Sequence, residues 1–155
     1  MQKQVTGNQK QENEQPYGFR KLIAWQRADD FASEAFRLSR LVSRSDRWLA
    51  SQLFRAAVSV PLNISEGAGP ATAAEFVRFL EIAGRSLSEA DYCLHFIERN
   101  GILPPSELTR AKDLRAETAR LVFRLTESIR AKVGRNGGWQ RGMLREELAE
   151  YLADA

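Results

Sequence analysis

Cysteine and histidine are nearly missing from this 155-residue chain, which holds one of each, Cys93 and His95. A lone cysteine closes no intramolecular disulfide, so the fold must stand on its core, and the thiol fits a reducing compartment. With one histidine, the paired Glu-x-x-His ligands of a bundle di-metal centre cannot be assembled. No apolar run approaches the roughly 20 residues of a membrane span. The polar stretch Met1 to Gln15 has no apolar stretch of the signal-peptide kind. A cytoplasmic protein without membrane attachment is the expectation. Proline and glycine are few, at five and ten, and cluster between longer segments. Gly67-Ala68-Gly69-Pro70 has neither the lysine nor the preceding strand of a phosphate-binding loop. Strand-like alternation of any length and internal repeats are also lacking.

What the chain does have is enough apolar matter for one domain. Hydrophobic residues make up 43% and charged residues 28%, which argues against wholesale disorder. The longer segments are rich in Ala, Leu, Arg and Glu, all good helix formers. The formal charge is +3 and the sequence pI about 9.3, with the cations mostly arginine. That balance is compatible with nucleic acid without requiring it.

Periodicity predicts four long helices. Residues 1–18 read as a disordered tail, poor in anything to bury. The first helix runs from Phe19 or Leu22 to Val42, with Ala24, Ala28, Phe31, Ala35, Leu38 and Val42 inward. Ser43 to Asp46 interrupts it, and Ser45 or Asp46 can cap the second helix. That helix spans Arg47 to Ile64 or Glu66, with Leu49, Leu53, Ala56, Val60 and Ile64 inward. Pro61 falls inside it and is expected to kink it. Thr72-Ala73-Ala74-Glu75 has the form of a capping box. Behind it, Phe76, Phe79 or Leu80, Ala83, Leu87, Ala90, Leu94 and Ile97 keep a 3-4 spacing up to a stop at Asn100-Gly101. Ser106 caps a fourth helix to Val133, carrying Leu108, Ala111, Leu114, Thr118, Leu121, Leu125 and Ile129. The fold class is therefore all-α, an antiparallel up-down four-helix bundle over residues 19–133. Residues 134–155 read as a flexible linker and a short amphipathic helix. Trp139, Leu144, Leu148 and Leu152 are its partner-binding side, unless the segment is a frayed tail.

Catalytic constellations are scarce. His95 has Asp91 four residues before it and Arg99 four after, yet no nucleophile or second histidine is paired with it by motif, so it reads as a helix-surface residue. Cys93 reads as a small core residue. On the fourth helix, Arg110, Asp113, Glu117, Arg120, Arg124 and Glu127 form a charged stripe with Arg115 and Arg130 nearby. It is either a phosphate-tracking surface or a solvated face laced with ion pairs. On the second helix, Gln52, Arg55, Ser59, Asn63 and Glu66 form a polar stripe beside the apolar one. Such a stripe is a hydrogen-bonded network, an interface or a plain exposed face. Small seam residues (Ala56, Ala57, Ala83 and Ala90) suggest close helix contacts between subunits of a symmetric oligomer.

The run Gln52-Leu53-Phe54-Arg55-Ala56-Ala57-Val58-Ser59-Val60-Pro61-Leu62-Asn63-Ile64-Ser65-Glu66-Gly67 resembles the signature of four-helix-bundle proteins encoded in 23S rRNA intervening sequences. The accessory variability proteins of diversity-generating retroelements share that superfamily. Phe19 to Ala28 and Glu75 to Ala83, continuing through Ser86-Leu87-Ser88-Glu89, fit as well, so the resemblance covers about Phe19 to Arg130. Phe54 and Pro70 stand where the family often has arginine, and Gly84-Arg85 reverses its common Arg-Gly pair. The resemblance implies a bundle assembled as a ring-like homopentamer, without known enzymatic activity. In the retroelement branch it implies a basic surface engaging RNA and a reverse transcriptase. On this reading Arg55, Arg78, Arg85, Arg120 and Arg124 are the nucleic-acid-binding candidates. Gln52, Ser59, Pro61, Asn63, Glu66 and Gly67 form the structural or interface motif. Neither cofactor nor metal is expected. The alternative is a protein-protein scaffold without a nucleic-acid role.

Overall fold

The apolar spacings become helices wherever a partner face can cover them. A computed structural model of the chain describes residues 18–69 and 72–136. A short 3-10 turn, Gly18–Lys21, leads into α1 (Ile23–Leu41), and a second, Arg44–Asp46, leads into α2 (Arg47–Gly67). They are followed by α3 (Ala73–Arg99) and α4 (Pro105–Asn136), and the described residues contain no strand. Each helix packs on two others, α1 with α2 and α4, and α3 with α2 and α4, which is a four-cornered bundle. The pairings Gln52–Glu89 and Gly67–Phe76 run α3 antiparallel to α2. Lys112–Glu98 and Arg130–Glu81 do the same for α4 on α3.

Every inward residue expected on α2 and α3 is buried, apart from Phe79, which yields to Leu80. Phe31, Phe76, Leu53, Ile64, Leu87 and Leu108 fill the centre. On α4 the stripe shifts slightly. Val122 and Thr126 are buried while Leu114 and Leu121 are half-buried. Thr118 and Thr126 enter this apolar space because their hydroxyls donate to the carbonyls of Leu114 and Val122, at 2.7 Å each.

The helix ends show which local signals prevailed. Thr72 and Glu75 form the full capping box: the Glu75 amide donates to Thr72 Oγ1 at 3.3 Å, and the Thr72 amide donates to Glu75 Oε2 at 2.7 Å. The close of α3 is a Schellman turn. Gly101 takes φ +63°, its amide donates to the Glu98 carbonyl, and the Ile102 amide donates to that of Ile97. Three boundary expectations are corrected. Asp46 sits at the start of α2 without capping it, because its carboxylate accepts from the Ser43 and Ser45 hydroxyls. Ser106 lies inside the first turn of α4 rather than capping it. Pro105, with φ preset and no amide to satisfy, takes the first helical position. Finally, α4 continues through Gly134 to Asn136, beyond the expected start of the linker. The N-terminal tail up to residue 17 and the C-terminal amphipathic segment lie outside the described residues.

Pro61 is accommodated within α2, and its ring is buried. It brings no N–H to the Ala57 carbonyl, so the helix there loses one bond and gains apolar burial.

Candidate nucleic-acid interface

Contacts between helices decide which way each arginine points. On α2, Gln52 donates to Glu89, and Ser59 Oγ accepts from Ser86 Oγ at 2.9 Å, so this flank meets α3. Phe54 lies on the other flank, against Phe36 of α1 with ring centroids 5.6 Å apart. Between the flanks runs an outward stripe of Trp48, Arg55 and Leu62 at heptad spacing, all three exposed. On α3, Glu81 and Asp91 mark the side facing α4, where they meet Arg130 and Arg115. Ser86 and Glu89 mark the side facing α2. The outward stripe between them carries Arg78, Arg85, Tyr92 and Arg99, again exposed at heptad spacing. On α4, Glu117 meets Arg27 of α1 at 3.0 Å, while Arg115 and Arg130 turn towards α3. Arg120 and Arg124 face outward between these flanks, with Asp113 and Glu127 beside them.

The five candidate arginines therefore do not form one cluster. Arg55, Arg78 and Arg85 share the side made by α2 and α3. Arg120 and Arg124 lie on α4, at the corner diagonal to α2. What the five have in common is freedom: each is exposed, and none has an ion-pair partner among the described residues. Arg115 and Arg130, counted with the basic stripe from sequence, are held by Asp91 and by Glu81 with Glu127. Arg110 lies 3.9 Å from Glu34. The fourth-helix stripe is thus split: Arg110 and Glu117, with the neighbouring Arg115 and Arg130, reach other helices, and Asp113, Arg120 and Arg124 are left to solvent.

The polar stripe of α2 resolves into several roles. Ser59 and Asn63 belong to a network at the α2–α3 seam. Asn63 Nδ2 donates to the Ser59 carbonyl at 2.7 Å and to its hydroxyl at 3.0 Å, and the buried Ser86 completes the set. Gly67 is buried where α2 crosses the start of α3, and an added Cβ would stand 2.5 Å from Phe76 Cδ2. Glu66 is exposed. Ala56, Ala57, Ala83 and Ala90 are buried inside the subunit's own core, which corrects their reading as contacts between subunits. They bring the helices of one bundle close and have no surface left for a second copy.

Little here favours catalysis. His95 is exposed, with Tyr92 its ring neighbour at 6.3 Å, and Asp91 turns away from it to Arg115. Cys93 is buried, and its thiol is pushed up from the ordinary value first by loss of solvent and then by the charge of Glu89. Among the described residues no three His, Cys, Asp or Glu side chains are placed to hold a metal ion. No described helix is long and apolar enough to cross a membrane. Trp139, Leu144, Leu148 and Leu152 lie outside the described residues.

Several exposed aromatics escaped the sequence reading. Trp48 and Tyr92 expose 62% and 64% of their surface, beside the half-buried Phe96. Phe123 stands on the rim of a largely apolar groove of about 280 Å³ between α3 and α4, lined by Leu80, Leu87, Ala119 and Val122 and also by Arg115 and Arg130. The available signal was spacing: Trp48 lies one heptad before Arg55, and Tyr92 one heptad after Arg85.

No curated protein sequence matches the chain. Among solved structures it is similar to a protein of unknown function from the S23 ribosomal protein family of Bacteroides thetaiotaomicron. The identity is 19% and the TM-score 0.64, over 67% of this chain and 98% of the other, a likeness that speaks for the fold alone. The sequence model of the 23S rRNA-intervening sequence proteins matches residues 20–124, a span that runs from the turn before α1 into α4. With that span covering most of the bundle, the chain belongs to the 23S rRNA-intervening sequence protein family.

Proposed function

We propose that the chain is a non-enzymatic, oligomeric accessory protein that binds RNA through its arginine-bearing outer surface. One observation carries this reading. Arg55, Arg78, Arg85, Arg120 and Arg124 are exposed and unpaired, while Arg27, Arg37, Arg115 and Arg130 are tied to carboxylates. A paired guanidinium must give up its carboxylate before it can bind a phosphate. A free one offers its planar fork at once. Spread over the α2–α3 side and α4, the five suit a folded RNA, and they position it without reading bases. By resemblance, the assembly is a homopentameric ring and its protein partner the reverse transcriptase of a diversity-generating retroelement; the lone cysteine suits a cytoplasmic setting.

The test is fluorescence anisotropy of the full chain with a labelled hairpin RNA across a salt series. Affinity is expected to fall steeply with salt. Each Arg→Gln change at a contacting position should reduce the logarithmic salt slope by about one. Absence of any association at low salt overturns the reading and promotes a second one, a protein-protein scaffold. The specific observation behind that alternative is Phe123 on the rim of the α3–α4 groove, a shape suited to an apolar side chain of a partner.

A further inference from the structure

On the side shared by α2 and α3, the free arginines have aromatic company. Trp48, near the start of α2, meets Phe96 of α3 edge-on, with ring centroids 6.2 Å apart. Tyr92 lies 6.3 Å from Phe96 and 6.3 Å from the ring of His95. Phe96 is half-buried and anchors the group, while Trp48 and Tyr92 expose most of their surface. Two large exposed rings held against a packed third cost apolar contact with water. They also cost little additional entropy when something stacks on them, because neither ring swings freely.

The charges around this group are lopsided. Arg99 follows Tyr92 by one heptad on α3, and Arg85 and Arg78 precede it by one and two. Arg55 follows Trp48 by one heptad on α2, Arg47 opens that helix and Arg44 the 3-10 turn before it. None of these six has a carboxylate partner among the described residues. Fewer acids stand against them: Asp91 pairs with Arg115, Glu89 accepts from Gln52 and Asp46 from Ser43 and Ser45, and Glu66 is exposed on α2. A protein partner with an apolar patch would be served by the rings alone, and unpaired cations around them would cost desolvation. A polyanion whose bases expose π-faces matches both features.

We infer that the α2–α3 side is a docking track for single-stranded RNA, with unpaired bases stacked on Trp48 and Tyr92 and the phosphates running along Arg55, Arg85 and Arg78. The stripe from Tyr92 to Arg78 extends about 21 Å along the helix, enough for a short unpaired segment of a few nucleotides. Stacking on aromatic faces tolerates any base, so the track recognises unpaired strand rather than sequence. This inference rests on the RNA-binding reading and narrows it from a basic surface to a strand-selective one. Arg120 and Arg124, on α4, take no part in it.

The experiment is anisotropy with the full chain and two labelled probes: a ten-nucleotide RNA of mixed sequence without self-pairing, and the same RNA annealed to its complement. Trp48→Ala and Tyr92→Ala should each weaken single-strand binding about tenfold and leave duplex binding within twofold. Trp48→Phe, which keeps a ring, should recover most of the loss. Circular dichroism of each variant establishes that the bundle is intact, as expected for side chains so exposed. If the alanine variants leave single-strand affinity unchanged while Arg55→Gln and Arg85→Gln still flatten the salt slope, the stacking track falls and the basic surface stands. If neither probe binds at low salt, both fall. If Trp48→Ala changes the light-scattering mass with RNA affinity unaltered, the face is a contact between copies and the inference is overturned.

Discussion

At position 67 the space for a side chain is already taken. A Cβ would stand 2.5 Å from Phe76 Cδ2 and 2.8 Å from Phe79 Cβ, and neither atom is the free end of a flexible chain. Gly67→Ala would gain up to about 1 kcal/mol of helix propensity and lose about 1–3 kcal/mol to overpacking. Clash should win, and a urea titration is expected to show a net loss on the order of 1 kcal/mol. A stabilised Gly67→Ala would mean that α3 can retreat from α2. Cys93 presents the opposite environment, a small side chain fully accommodated in the core. Folding favours its neutral thiol, because burial and Glu89 both raise its pKa. The sign follows: this contribution is fully present below the ordinary thiol range and is lost as pH rises through the raised value. At neutral pH a thiol reagent should label Cys93 slowly in the folded protein and rapidly in denaturant. Fast labelling of folded protein would place the thiol at the surface and contradict its burial.

Single contacts also decide how whole helices start and hold together. The Thr72–Glu75 box satisfies the first amides of α3, and Thr72→Ala is expected to cost about 1 kcal/mol in chemical denaturation. Serine at the same position should restore most of that. Between α1 and α4 the corresponding device is ionic. Glu34 is a buried carboxylate, its side chain 8% exposed, that accepts from Arg37 Nη2 at 2.7 Å and Nε at 3.0 Å. Arg37 also donates to the Glu107 carboxylate at 2.7 Å and to its carbonyl at 3.0 Å, which locks α4 onto α1. The first of these contacts, then the second, holds the Arg37 guanidinium protonated even more firmly than usual. Removing Arg37 strands a buried charge, whereas removing Arg27 frees the exposed Asp30 and Glu117. Arg37→Ala should therefore lower Tm more than Arg27→Ala, and equal shifts in thermal melts would refute the ranking.

At the scale of the whole molecule, the free surface is what remains after the bundle has satisfied itself. The core alanines are used up within one subunit, so the proposed ring must close through exposed groups. Phe123, 66% exposed beside the α3–α4 groove, is the strongest candidate. Light scattering of the full chain is expected to give a closed oligomer, five-fold by resemblance, and Phe123→Asp is expected to dissociate it without unfolding. A monomer at every concentration would remove the ring from the proposed function.

Sequence periodicity determined the four helices, the capping box at Thr72, the stop at Asn100-Gly101 and nearly all of the inward residues. These depend on spacing and on chemistry within a few positions along the chain, which a reader of sequence sees directly. Family membership was legible for a related reason, since the Gln52-to-Gly67 run keeps residue types that the α2–α3 seam requires. Ser59 and Asn63 meet Ser86, and Gly67 meets Phe76. Partner choice was not legible. Arg115 and Arg120 look alike in sequence, yet one is held by Asp91 and the other faces solvent, because only the docking of α4 on α3 puts a carboxylate within reach of the first. Trp48 likewise lies far along the chain from the Tyr92–Phe96 pair of α3, and only the antiparallel packing of α2 on α3 brings the three rings to one end of one face.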